Sequence, residues 1–91
     1  MTIEFDYDPA DQCLALRGEL TIVHAADALA ILRSHQGTAL DLSGVSEMDG
    51  AGLQLLLAAR RDAGWRLSAA SDPVLGVLAL VGLTHLLEAP A

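Results

Sequence analysis

Residues 43–59 read SGVSEMDGAGLQLLLAA, a turn carrying two carboxylates and two glycines that runs straight into leucines. Glycines between a strand and a helix suit an anion, because the free N–H groups of a helix start can surround a phosphate. Gly50 and Gly52 match the first two glycines of a dinucleotide fingerprint, but Leu55 stands at the third place. A Walker A loop needs a lysine, and all five basic residues (Arg17, Arg33, Arg60, Arg61, Arg66) are arginine. Glu47 and Asp49 also put negative charge where an anion would sit. The glycines therefore read as a tight turn, with Asp49 complementing the dipole of the helix that follows.

Other chemistries find no better footing. Asp41, Glu47 and Asp49 carry oxygens that suit Mg²⁺ or Ca²⁺, yet strand alternation and turn geometry do not converge them. The chain has no GxSxG, CxxC or HExxH pattern, and His24, His35 and His85 lie in segments without a nucleophile partner. Those histidines read as solvated helix or turn residues. Cys13 is the single cysteine, so it cannot form an internal disulfide and reads as a small hydrophobe within a strand. No catalytic, cofactor or metal site is expected, and the chain reads as a non-enzyme. An interaction surface remains: with Leu53, Leu56 and Leu57 facing a core, the opposite side of the second helix carries Ala51, Gln54, Ala58 and Arg61, with Leu55 near the boundary. Small residues beside a glycine turn let a partner backbone come close.

The elements that must position this turn are legible from changes of period. Ile3, Phe5 and Tyr7 alternate with acids, the signal of a half-exposed strand, and residues 9–12 are turn formers. CLALRGEL completes a hairpin. Residues 23–34 space Ala25, Leu29 and Leu32 as a helix, with Thr21 as N-cap and Gly37 at the exit. Residues 38–45, TALDLSGV, suit a central strand, and the loop 46–50 then feeds the second helix, which ends at Gly64 with Arg60 and Arg61 in its last turns. WRLSAA is the next strand. Ser71-Asp72-Pro73 starts a third helix, whose stripe is Val74, Val77, Leu78 and Val81 and whose stop is Gly82, and Leu83, Leu86 and Leu87 suggest one more short turn or helix. The order β-β-α-β-α-β-α gives an α/β domain whose later strands are parallel.

Composition fits this outline. A chain of 91 residues and 9.5 kDa has room for a single domain, residues 1–91, and with 53% hydrophobic but only 3% aromatic residues its core must be aliphatic. A formal charge of −7 repels nucleic acid and anionic membranes. The acidic N-terminal stretch is unlike a basic secretory leader, and the longest nearly apolar run, residues 74–83, is too short to span a bilayer. A cytoplasmic protein is expected.

Gly18-Glu19-Leu20, then LDLSGVSEMDGAGLQLLLAA over residues 40–59, then a Gly-ended turn, a strand and PVLGVLALVGL over residues 73–83, together resemble the STAS family, the domain of anti-sigma factor antagonists. The resemblance covers nearly the whole chain, and DLSGV-x-x-x-D-x-x-GL is its most specific part. It implies a mixed four- to five-stranded sheet, with an N-terminal β-hairpin and parallel later strands, flanked by three to four helices. It also implies that the loop before the second helix contacts a protein partner, often an anti-sigma factor with kinase activity. In the family, phosphorylation within D-[ST]-[ST]-G releases that partner.

Position by position, Asp49 matches the family aspartate, and Gly52 and Leu53 match its Gly-Leu. Gly50 takes the first hydroxyl position and Ala51 the usual acceptor position, so both hydroxyls are missing. Thr21 stands where many members have Asp. The combination is similar to the small STAS proteins encoded among bacterial chemotaxis genes and, more distantly, to the lipid-transport subunit MlaB, which has Thr at the position of Gly50. The partner-binding set implied is Thr21, Ser46, Asp49, Gly50, Ala51, Gly52, Leu53, Gln54 and Leu55. The nearby hydroxyls of Ser43 and Ser46 read as turn and capping groups, with phosphorylation for regulation as the alternative. The partner implied is an anti-sigma factor kinase-like protein or a chemotaxis signalling component, bound without phosphate control. The alternative is an ABC-type ATPase subunit of a lipid transporter.

Overall fold

Alternation of Ile3, Phe5 and Tyr7 with acids gives a strand with one apolar side. The computed structural model, which describes residues 3–35 and 39–82, folds this stretch as β1 (Glu4–Asp8). Asp8 Oδ1 accepts from the Ala10 N–H at 3.0 Å, Gln12 takes φ 51, and the chain reverses into β2 (Cys13–Leu20). The pair is antiparallel, with Phe5 opposite Leu16 and Tyr7 opposite Leu14. Parallel neighbours need longer crossovers. Helix α1 (Ala25–Arg33) carries the chain to β3 (Ala39–Met48), α2 (Gly50–Ala63) carries it to β4 (Arg66–Ala70), and α3 (Asp72–Leu80) follows. The sheet order is β1-β2-β3-β4, with β2, β3 and β4 parallel. Because spatial order follows chain order, right-handed crossovers put α1 and α2 on the same face, where they touch.

One face of the sheet is the core. Leu14, Leu16, Leu40, Leu42 and Leu67 meet Ala28, Leu32, Leu56, Val74 and Leu78 from the helices in a single apolar cluster, and Trp65 closes it at the junction of α2 and β4. The other face is wetter and smaller: Ala15 and Asp41 are half-buried, Ser68 and Arg17 exposed, and Arg17 pairs with Asp6 across the hairpin. The α/β class, the element order and the mixed sheet agree with the expectation from sequence, with four strands and three helices among the described residues. Among those residues no helix is long and apolar enough to cross a membrane.

The departures are local. Strand β3 runs to Met48, through residues expected as loop, because its register against β2 slips twice: Ala15 and Arg17 pair with Asp41 and Gly44, then Gly18 and Glu19 with Val45 and Glu47. Each slip adds one residue to β3, so its inward side chains are Leu40 and Leu42, then Val45, then Met48. A period of two cannot follow that pattern. Helix α1 starts at Ala25 behind His24, not at 23 behind a Thr21 cap, since the Thr21 carbonyl accepts from the His24 N–H and holds Ile22 and Val23 in a turn. Ser71 precedes α3 as expected, but its hydroxyl donates to the Val45 carbonyl and makes no side-chain cap. Val81 is exposed at the end of the α3 stripe, and Gly82 takes φ 72 there. The expectations for Gly37, Thr38, Leu83, His85, Leu86 and Leu87 lie outside the described residues.

Leu42→Ala, at a site with 0% exposure, is expected to cost about 2–5 kcal/mol of stability in urea unfolding. Leu80→Ala, at 87% exposure, is expected to stay within about 0.5 kcal/mol of the parent.

Candidate functional site

At the carboxyl ends of β2 and β3 the chain makes a knot of hydrogen bonds around Asp49. The residue leaves β3 with φ −122 and ψ −170 and caps α2. Its Oδ1 accepts from the Gly52 N–H at 3.0 Å, its Oδ2 accepts from the Ile22 N–H at 3.0 Å, and its own N–H donates to the Leu20 carbonyl at 3.4 Å. One carboxylate thus caps a helix and ties down the turn that leads to another. The N–H donors of Gly52 and then Ile22 hold the Asp49 carboxyl below the ordinary carboxylate range, against a smaller opposing effect of desolvation.

Gly52 makes the approach close enough. A Cβ built there would lie well inside the 3.0 Å that real Cβ atoms keep from other heavy atoms, against the Leu20 carbonyl oxygen. That glycine is required by backbone proximity. Gly50, one residue into α2, is the opposite case, since a Cβ there meets nothing within 4 Å.

The residues expected at the contact surface divide by exposure. Gly50 and Gln54 are exposed at the start of α2, Ala51 and Thr21 are half-buried, and Ser46 is exposed on β3. Gly52, Leu53 and Leu55 are buried and present no side chain to a partner. Leu55, expected near the boundary of the open side, is 7% exposed and in the core, whereas Leu57, expected in the core, is half-buried. Helix α2 packs on both the sheet and α1, so its apolar stripe is broader than one row of leucines.

Sequence reasoning missed two residues. Ile22 and Val23 stand out from the clamped turn at 74% and 75% exposure, beside the start of α2. Their signal was present as two adjacent β-branched residues just after GELT, but the helical spacing that follows absorbed Val23. The remaining chemistry-bearing groups are engaged locally. Asp41 accepts from the Ser43 N–H at 2.8 Å, and His24, buried, places Nε2 3.9 Å from Glu19 Oε1. Burial pushes the half-buried Cys13 thiol up, Asp41, Asp11 and Asp8 add to this, and a hydrogen bond with Ser68 opposes it. Such a thiol is a weak nucleophile. Among the described residues no group of three or more His, Cys, Asp or Glu is arranged to hold a metal ion.

A protein-family model described as "Mlab, STAS domain" matches residues 3–88. No curated protein matches the chain.

Gly52→Ala is expected to destabilise by about 1–3 kcal/mol in urea unfolding, while Gly50→Ala, with open space, leaves stability equal or slightly higher. Because folding lowers the Asp49 carboxyl from its ordinary 3.8, its contribution is fully present above that pH and is lost as pH falls below it through the folded value. Asp49→Asn, which does not titrate, should flatten that part of the acid limb when unfolding midpoints are compared across pH.

Proposed function

The chain belongs to the STAS domain family, and on that basis we propose that it is a non-enzymatic protein–protein interaction module of the anti-sigma factor antagonist type, working in the bacterial cytoplasm with the start of α2 as its contact turn. The observation that carries the reading is a turn held firmly by Asp49 on which Gly50 and Ala51 have no side-chain hydroxyl to phosphorylate. Packing does not demand this loss at Gly50, where a side chain has open space. A phosphoryl group adds about −1.5 to −2 charge, enough to eject a partner from an edge that already bears Glu19, Glu47 and Asp49. Without an acceptor the turn stays permanently in the unmodified, binding state.

In this reading Gly50, Ala51 and Gln54 touch the partner, Asp49 sets their position, and Thr21 and Ser46 lie at the margin. Partners of the fitting class are an anti-sigma factor kinase-like protein or a chemotaxis signalling component. A second reading has one specific support, the Mlab description of the matching family. There the chain is a regulatory subunit of an ABC-type lipid transporter ATPase and uses the same edge.

Affinity capture of the tagged protein from its native cells, beside Ala51→Glu, tests both. Loss of a kinase-like or chemotaxis protein from the variant supports the signalling module, and stoichiometric recovery of an ABC ATPase supports the second reading. Identical captures from the two samples would remove the α2 start as the binding site. Stoichiometric phosphate on Ser46, read by mass spectrometry of the native protein, would overturn the absence of a switch.

A further inference from the structure

Large apolar side chains stand exposed at few places among the described residues, and two pairs are adjacent: Ile22 with Val23, and Leu80 with Val81. The first pair lies at the carboxyl ends of the parallel strands, fixed there by the Ile22 N–H bond to Asp49. The second lies at the far end of α3.

Arginines and acids are unequally distributed along the same axis. The carboxyl edge carries Glu19 and Glu47 near the strand ends, Asp49 between β3 and α2, and Asp27 and Asp72 in the first turns of α1 and α3. Arg33, Arg60 and Arg61 sit in last turns of helices and Arg66 opens β4, all at the opposite edge, which also carries Asp8 and Asp11 at the hairpin turn, and Arg17 midway along β2 is paired with Asp6. No described arginine lies at the carboxyl edge. Glu19 and Glu47 are also direct register partners of β2 and β3, so two acidic residues stand side by side at this edge. His24 neighbours Glu19, whereas Glu47 is exposed to whatever approaches.

We propose that Ile22 and Val23 are the apolar anchor of the interface, received by the partner protein in an apolar pocket bordered by arginine or lysine side chains. The proposal rests on the reading that the chain acts through a protein partner, and it adds the anchor and the partner's chemistry. Burying two β-branched side chains supplies affinity, and basic groups over Glu19 and Glu47 complement the acidic edge and steer approach. The turn needs little reordering on binding, because Asp49 already holds it.

The test places a photo-crosslinking amino acid at Ile22, at Val23 and, as control, at Leu80 in the full chain in its native cells. The expected result is a heteromeric adduct from position 22 or 23 and none from 80, with a cross-linked partner peptide that contains Arg or Lys. Glu19→Lys with Glu47→Lys should lower its yield about tenfold or more, with circular dichroism unchanged. The proposal is overturned by absence of an adduct at both positions, by an adduct of two copies of this chain, by the same adduct from Leu80, by a partner peptide without basic residues, or by a yield that charge reversal leaves unchanged. If capture depends on Ala51 while positions 22 and 23 give no adduct, the contact turn stands and the anchor falls. If no captured protein depends on Ala51, the contact turn itself falls.

Discussion

The Asp49 carboxylate joins parts of the chain that the sheet alone would leave independent. Its two oxygens receive N–H groups from the first turn of α2 and from the turn after β2, so the ends of two parallel strands and the start of a helix share one anchor. The absent side chain of Gly52 permits this, since the helix start lies against the Leu20 carbonyl at a distance no larger residue could share. Donor, acceptor and empty space are needed together. A carboxylate so occupied is a structural group, and the surface it creates is made by its neighbours.

Much of this was legible in the sequence, for reasons that differ by element. The hairpin, α2 and its Gly64 stop were readable because local chemistry decides them: alternation in β1, an aspartate before glycine, a left-handed glycine after the arginines. The far end of β3 was not readable, because the two added residues there answer to the register against β2, a long-range property that spaces Val45 and Met48 three apart. Leu55 and Leu57 were misplaced for a related reason, as α2 faces both a sheet and a helix and one stripe of leucines cannot say how wide the buried arc is. At the candidate site, the capping role of Asp49 was legible from its place before Gly50, while its second bond, to Ile22, joins residues 27 apart and no local pattern announces it.

The chain divides its labour between directions. Apolar packing occupies one sheet face and draws on all three helices, which leaves the carboxyl ends of the strands outside the core. Small side chains on the second face, and an aliphatic core with one buried tryptophan, keep the scaffold compact enough for a short chain to hold a precise turn. Charge then gives the scaffold a polarity that its fold does not require.

Among the described residues the sheet order leaves β1 and β4 each with one unpaired edge. Open edges invite strands of other molecules to add on, the first step toward aggregates. Here β1 is five residues long and carries Glu4, Asp6 and Asp8 on one side, and β4, equally short, opens on Arg66. Two copies meeting along β1 would align acid against acid, and along β4 the ladder is too brief to repay the encounter. Short, charged edge strands of this kind work against the extension of a sheet by a second copy in a protein rich in aliphatic residues.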